Sequence, residues 1–336
     1  MILTLVGLSQ GTIESTAERA KGIGADIVIR PLQSSAIGMS GAPMPEGLLD
    51  FMRKQPHVKL VSGTVVHNLA LFESITGIDV PSFTAMSGGF EFVDGGPFNG
   101  PDQIIVDEPY AEQHNWHAGQ QVDMLNQKMT IVGVVKPGKL SHLFIPIKEL
   151  QRLTANTGKL SVIWVKLDDP RNARASVDQL RAVTKNAFNI YTMDYYLSLI
   201  STNSIPLLKS FTNVVIGLSV AFGFMVVFLA MYTAVLERTR EVGILKALGA
   251  SPFFVLRIIL QETVALAIVG SILGILLTYG TRFIIMRGVG ASLTQKIVPD
   301  WWPIAAAIAI VGAMLGATYP ALKAARQDAI EALSYE

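Results

Sequence analysis

Residues Thr212 to Val235 read TNVVIGLSVAFGFMVVFLAMYTAV, an apolar run without one charged side chain. A helix rises about 1.5 Å per residue and needs about 20 residues to cross roughly 30 Å of hydrocarbon, so this run reads as a transmembrane helix. Two stretches downstream meet the same criterion. Val255 to Ile285 carries only Arg257, Glu262 and Arg282, set toward its ends. Pro303 to Leu322 is uncharged and follows Trp301 and Trp302, a pair suited to the bilayer interface. Composition agrees: of 336 residues 50% are hydrophobic and only 16% charged, and the mean hydropathy is +0.43, above the usual range of a soluble domain.

The apolar excess is uneven. Residues from about Ala20 to Ser210 mix short apolar runs, turns and charges as a soluble domain does, so two physical environments share one chain. A net charge of +1 supplies no concentrated basic face for nucleic acid, and that class is discarded. The absence of cysteine excludes a disulfide framework and a thiolate metal site.

Working back to the start, Met1 to Leu8 (MILTLVGL) is apolar but too short to span, and it lacks the basic region and cleavage site of a signal peptide. A domain placed outside the cell needs a segment to carry it across. The expectation is therefore that Met1 lies part-way along a first transmembrane helix; a genuine three-span protein is the alternative. Counting Lys and Arg, the loop after the first complete span holds Arg238, Arg240, Lys246 and Arg257 and the tail holds Lys323 and Arg326. The other loop holds Arg282, Arg287 and Lys296, so the first loop and the tail are expected inside and residues 20 to 210 outside.

Within that outer region, Ser9 to Ile23 has helical composition and reads as a stalk, with Gly24 near its end. Asp194 to Phe211 reads as the returning stalk, broken or kinked near Pro206. Short strands are expected at Asp26–Arg30, Gln103–Val106, Gln121–Leu125, Met129–Val135, Leu143–Ile147 and Val162–Leu167. Helices are expected at Glu46–Lys54, Glu108–Asn115, Lys148–Ala155 and Arg174–Ala187, with Gly- and Pro-rich loops at Met39–Pro45 and Ser87–Pro101.

Candidate chemistry is sparse. Gly133 to Lys139 (GVVKPGK) spells the first part of a phosphate-cradling loop, but Leu140 stands where Ser or Thr would hold magnesium, and Pro137 removes an N–H donor. A strand-to-turn junction is the better reading. His114 and His117 lie three apart without a third ligand at a recognisable spacing. No nucleophile elbow and no HExxH is present, so catalytic, metal and cofactor residues are all expected to be none. Glu262 lies about two turns inside its span, where a carboxylate must face protein, water or a cation; Arg257 is the basic residue nearest in sequence. The functional reading is a contact that latches helices at the inner side; the other is a carboxylate within interfacial reach. Small residues four apart recur in each span: Gly217 with Ala221, Gly270 with Gly274, Gly312 with Gly316. They are expected to serve helix packing and a dimer seam.

Between the first two complete spans, Leu236 to Ser251 (LERTREVGILKALGAS) is short, charged and helix-prone, with Val242, Leu245 and Leu248 toward one side. Gly249 suits its end, and Ser251 and Pro252 suit the cap and first position of the next helix. Such a segment is either a rigid amphipathic helix built to be pushed or a solvated loop.

The stretch Glu237 to Ser251 resembles the coupling segment of FtsX-like permeases, including the MacB, LolC/LolE and DevC groups. Tyr319 to Arg326 with Ile330 to Leu333 resembles the family's ending, where a proline is usual at the position of Ala329. Gln10-Gly11 and Gly24 to Pro31 look like the start of a MacB-type periplasmic core domain, and Ile104 to Val135 like its later strands. The resemblance implies a membrane α-helical bundle with an inserted extracytoplasmic mixed α/β domain, having three complete transmembrane helices plus the end of a truncated first one. The expected division is 1–24 end of the first helix and stalk, 25–193 periplasmic core domain, 194–211 returning stalk, and 212–336 permease domain with spans at about 212–235, 255–285 and 303–322. It implies a multi-pass protein of the bacterial inner membrane, a second permease copy or paralogue, and a separate ABC ATPase subunit that binds the ATP. Further implied partners are membrane lipids and a periplasmic adaptor or membrane-fusion protein. Glu237, Arg238, Arg240, Glu241, Gly243, Lys246 and Gly249 would couple to the ATPase. The implied activity is export by mechanotransmission of a lipid, lipoprotein, peptide or drug; the alternative is an FtsX-like regulator of a cell-wall hydrolase.

Overall fold

The computed structural model of the chain describes residues 1–32, 34, 43–70, 73–200, 206–288 and 293–326. It forms two compact units: one of Ser9–Ile205 with Ile285–Gln295, the other of Met1–Leu8, Pro206–Ile284 and Lys296–Glu336.

The first unit is the α/β head. Helix α1 (Ile2–Lys21) leads into β1 (Ile27–Pro31), β2 (Met44–Pro45), α2 (Leu48–Arg53), β3 (Val58–Ala70), β4 (Glu73–Ile78), α3 (Val80–Ser87) and β5 (Phe92–Gly95). There follow β6 (Gln103–Asp107), α4 (Glu108–His114), β7 (Gln121–Met124), β8 (Gln127–Val135), β9 (Leu143–Pro146), α5 (Ile147–Leu153) and β10 (Lys159–Leu160). Then come β11 (Val162–Leu167), α6 (Ala173–Val183), β12 (Phe188–Thr192) and α7 (Met193–Leu199). Ten strands form one mixed sheet in the order β12-β1-β11-β3-β4-β9-β6-β8-β5, with β7 on β8, while β2 and β10 pair separately. The β4–β9 and β6–β8 pairings are parallel and the others antiparallel.

Strand β1 is buried at every position, as a strand covered on both faces must be. Its side chains alternate between two cores. Ile27 and Ile29 join Met52, Leu150, Val177 and Leu180, from α2, α5 and α6. Val28 joins Ala20, Phe83, Met86, Met193 and Tyr196, from α1, α3 and α7. Helices therefore cover both sides of the sheet.

The expected strands are all present within a residue or two. Strands β2, β3, β4, β5, β10 and β12 and helix α3 were not expected; β2 lies in the segment read as the Met39–Pro45 loop and β5 runs through the one read as the Ser87–Pro101 loop. Strands β3 and β4 are disguised by glycines. A Cβ on Gly63 would lie 2.7 Å from Leu160 Cδ1, and one on Gly77 3.0 Å from Leu150 Cβ, so each glycine makes room for a side chain crossing the sheet. Of the Met39–Pro45 loop, residues 39–42 lie outside the described residues, as do 201–205 of the returning stalk and the family-like ending at 330–333. Pro206 is the first residue of a long helix, not a kink within one, because its missing N–H costs nothing at that position.

The second unit holds α8 (Pro206–Glu237), α9 (Thr239–Ala247), α10 (Pro252–Gly288) and α11 (Trp301–Arg326). Three of its helices are long and apolar enough to cross a membrane, at Ser210–Glu237, Pro252–Gly288 and Trp301–Arg326. Helices α8 and α11 pack through a stripe on α11 of Ala313, Gly316, Ala317, Pro320, Ala321, Ala324 and Ala325, all buried. Val227, Met231 and Val235 of α8 lie against it.

Candidate functional site

The loop after the first span is a helix, and its ends are fixed by local chemistry. Helix α8 runs to Glu237, two residues past the expected limit; only Arg238, the cap residue of α9, separates the two helices. The backbone barely breaks there: Arg238 N–H donates to Ala234 O at 3.2 Å and Val242 N–H to Arg238 O at 3.1 Å. Gly249, at φ 94°, ends α9. Its N–H reaches Lys246 O and the Ala250 N–H reaches Leu245 O, both at 3.0 Å, which satisfies carbonyls that the helix end leaves bare. Two residues later Ser251 Oγ accepts the Phe254 N–H at 3.2 Å and Pro252 opens α10. A short turn, capped on both sides, thus joins α9 to α10.

The faces of α9 are distinct. Thr239 and Gly243 are buried, and Val242 packs with Val235, Val255 and Ile259. Glu237, Arg238, Arg240, Glu241 and Gly249 are exposed, and Lys246 is half-buried. Leu248 is 81% exposed and does not share the buried side of Val242, because it caps the helix rather than lying within it. Ile244 and Leu245 are exposed beside it, so the open side of α9 is both charged and apolar.

Glu262 is held by Arg238 rather than by Arg257: Arg238 Nη1 donates to both carboxylate oxygens, at 3.1 and 3.2 Å. The pair stands at a cavity of about 100 Å³ between α8, α9 and α10, lined also by Met231, Val235, Val242 and Ile259. The pair ties the start of α9 to α10. In sequence the partners are 24 residues apart, so no local spacing announced them.

The small-residue pairs fare differently from one another. A Cβ on Gly316 would lie 3.0 Å from Phe224 O and 3.4 Å from Phe228 N, so here α11 and α8 approach backbone to backbone. Gly217, Gly270, Gly274 and Gly312 have nothing within 4 Å of such an atom, and Ala221 is exposed. The stripe of alanines around Gly316, repeating at three and four residues, was the sequence signal for this seam.

In the head, the GVVKPGK segment is a strand end and turn. Lys139 Nζ donates to Ser87 O at 2.8 Å and also to Gly89 O, a cation placed on the last carbonyl of α3 and on the turn that follows it. Burial pushes its pKa below the ordinary lysine value. The His114 ring stacks on Tyr110, with centroids 4.2 Å apart, and its Nδ1 lies 3.0 Å from Tyr110 O. Among the described residues no three His, Cys, Asp or Glu side chains are grouped to hold a metal ion.

Two family models match. That of the MacB-like periplasmic core domain covers residues 1–183, more than half of the 336, and that of the FtsX-like permease C-terminal region covers residues 213–329. The chain belongs to the MacB/FtsX-like permease family. Similar proteins include the uncharacterized ABC transporter permease YknZ of Bacillus subtilis (strain 168), 27% identical over 234 residues, covering 66% of this chain and 56% of that one. The macrolide export ATP-binding/permease protein MacB of Photorhabdus laumondii is 30% identical over 237 residues, covering 65% of this chain and 35% of that one. MacB of Escherichia coli (strain K12) is 27% identical over 323 residues, covering 85% and 48%. The chain thus spans between 35% and 56% of the length of these curated relatives. As a MacB/FtsX-like permease it is a multi-pass inner-membrane protein with a periplasmic α/β head. The permease match contains all of α9, α10 and α11, and the core-domain match runs from α1 through α6.

Proposed function

We propose that this chain is the membrane-spanning subunit of an ABC exporter that works by mechanotransmission. A separate ATPase subunit binds ATP and docks on α9 from the inner side, and its closure moves the periplasmic head, which exports or extracts a lipid, lipoprotein, peptide or drug. The observation that carries the reading is α9 itself: a helix bonded almost without a break to α8 and joined to α10 by a short capped turn, with one side seated and an open side of Arg240, Glu241, Ile244 and Leu248. A push on such an element cannot be absorbed by a loose loop. The MacB relatives, macrolide export ATP-binding/permease proteins, support this class of cargo and partner.

In this reading Glu237, Arg238, Arg240, Glu241, Lys246, Gly243 and Gly249 form the coupling segment, the first five by contact and the glycines by shaping it. Glu262 positions Arg238. The open Gly217/Ala221 and Gly270/Gly274 faces form a seam with a second permease copy or paralogue. Residues 25–193 form the moving head, with 1–24 and 194–211 leading to and from it.

The test is reconstitution of the chain with its ATPase in lipid nanodiscs. Replacing Glu241 and Lys246 together by Ala is expected to leave the permease assembled but to weaken ATPase association at least about tenfold, the equivalent of roughly 1.4 kcal/mol. Unchanged association and unchanged stimulation of ATP turnover in an assembled double variant would refute the coupling role. Capture of a cell-wall hydrolase by the head would instead favour the regulatory reading.

A further inference from the structure

The last turn of α1 carries an arginine for which neither the fold nor the proposed coupling segment accounts. Arg19 is 9% exposed, and Asp107, at the end of β6, is 1% exposed. Arg19 Nη2 donates to Asp107 Oδ2 at 2.8 Å and Nη1 to the Ser141 carbonyl at 3.1 Å. His142 Nδ1 lies 3.0 and 2.9 Å from the two Asp107 oxygens. It is also 3.1 Å from Arg19 Nη2; with its proton on Nδ1 it donates to the carboxylate and takes nothing from the arginine. Asp107 Oδ1 also accepts the Tyr110 N–H at 3.2 Å, capping α4. One carboxylate therefore joins α1, β6, α4 and the turn before β9.

The backbone repeats the connection. Leu140 N–H donates to Arg19 O at 3.0 Å, filling a carbonyl that the end of α1 leaves open. A Cβ on Gly22 would lie 1.9 Å from Gly138 O, so the two segments touch where only glycine fits. Lys139, between these contacts, reaches the last α3 carbonyl. The GVVKPGK turn, with the spelling of a phosphate loop, is thus a buckle that closes over the end of α1.

We propose that this buckle is the joint through which displacement of α1 enters the head, with Arg19 and Asp107 as its positioning residues; the proposal rests on the mechanotransmission reading above. The guanidinium is a planar fork whose directional bonds resist both sliding and rotation, whereas the apolar packing of Ala20 and Ile23 beside it resists neither strongly. The acceptor stands on β6, an interior strand between β9 and β8, so load reaches the middle of the sheet rather than an edge. And Arg19 lies inside the last turn of α1, which ends at Lys21, so no flexible segment stands between helix and joint.

The chain has no cysteine, so spin labels can be placed cleanly at Glu18→Cys on α1 and Lys128→Cys on the head, both exposed. The full chain with its ATPase is compared without nucleotide and trapped with ATP and vanadate. The joint variant is Arg19→Met with Asp107→Asn, which removes both charges and keeps an acceptor for the α4 cap. The expected result is a narrow label distance unchanged by trapping in the parent, and in the variant a distance that broadens or shifts on trapping while ATP turnover stays within about twofold. Arg19→Lys, which keeps the charge but loses the two-nitrogen fork that serves Ser141 and Asp107 separately, is expected to fall between. A variant distance as narrow and as fixed as the parent's overturns the proposal, as does ATP turnover and label order lost together in proportion to unfolded protein in both variants. If the joint behaves as the parent while the Glu241/Lys246 variant uncouples, the proposal fails and the mechanotransmission reading stands.

Discussion

At the scale of single residues, burial decides what a side chain can do. Tyr110 sits in the head core with its hydroxyl pushed up to about 12 by burial first, then by the carboxylates of Glu73 and Asp107. In the unfolded chain it ionises near its ordinary value of about 10. Between those two values the unfolded state has released a proton that the folded state keeps, so stability falls as pH rises; below about pH 10 the contribution is intact. Melting of the full chain is expected to drop more steeply from pH 10 to 12 than melting of Tyr110→Phe. Parallel curves would show that the hydroxyl is not buried as described. Such single-residue properties were scarcely legible in the sequence. The spelling GVVKPGK reads as a strand-to-turn junction in sequence, and only the folded chain shows Lys139 bonded to α3 and Gly138 pressed against Gly22. Arg19 and Asp107 are 88 residues apart, and no spacing rule joins them.

At the scale of elements the record is better where punctuation is strong. Gly249, Ser251 and Pro252 mark the end of one helix and the start of the next, and α9 and α10 meet there through the bonds those residues supply. The apolar runs gave the spanning helices because length against bilayer thickness is a hard constraint. Strands β3 and β4 escaped because Gly63 and Gly77 break the alternation that marks a strand, for the sake of neighbours on α5 and β10. Helix pairing was legible only in part. Four-residue spacing of small side chains is common in apolar helices, and of the five glycines so spaced only Gly316 meets a backbone. Replacing Gly316 by Leu is expected to force α11 from α8 and to cost about 1–3 kcal/mol. Gly270→Ala is expected to be neutral or stabilising by up to about 1 kcal/mol, through helix propensity. Thermal unfolding of the two variants in detergent checks this; equal destabilisation would contradict the seam.

The Arg238–Glu262 pair belongs to the same scale. Its side chains are 57% and 41% exposed, so its share of stability is small, about 0–1 kcal/mol. Its weight is geometric: it fixes where α9 starts relative to α10. A stability assay would therefore undervalue it, and a coupling assay would not.

At the scale of the whole molecule, the account asks that force enter on one side of the membrane and act on the other. The family match and three membrane-length helices place a permease module after a periplasmic head, and the proposed coupling turns on α9 facing the opposite compartment. The cysteine-free sequence allows this to be measured directly. Single cysteines at Lys128 in the head and Leu248 on α9, both exposed, are treated with a membrane-impermeant maleimide in spheroplasts. The account predicts labelling of Lys128→Cys at once and of Leu248→Cys only after the membrane is opened. Equal labelling of both from the outside would contradict it.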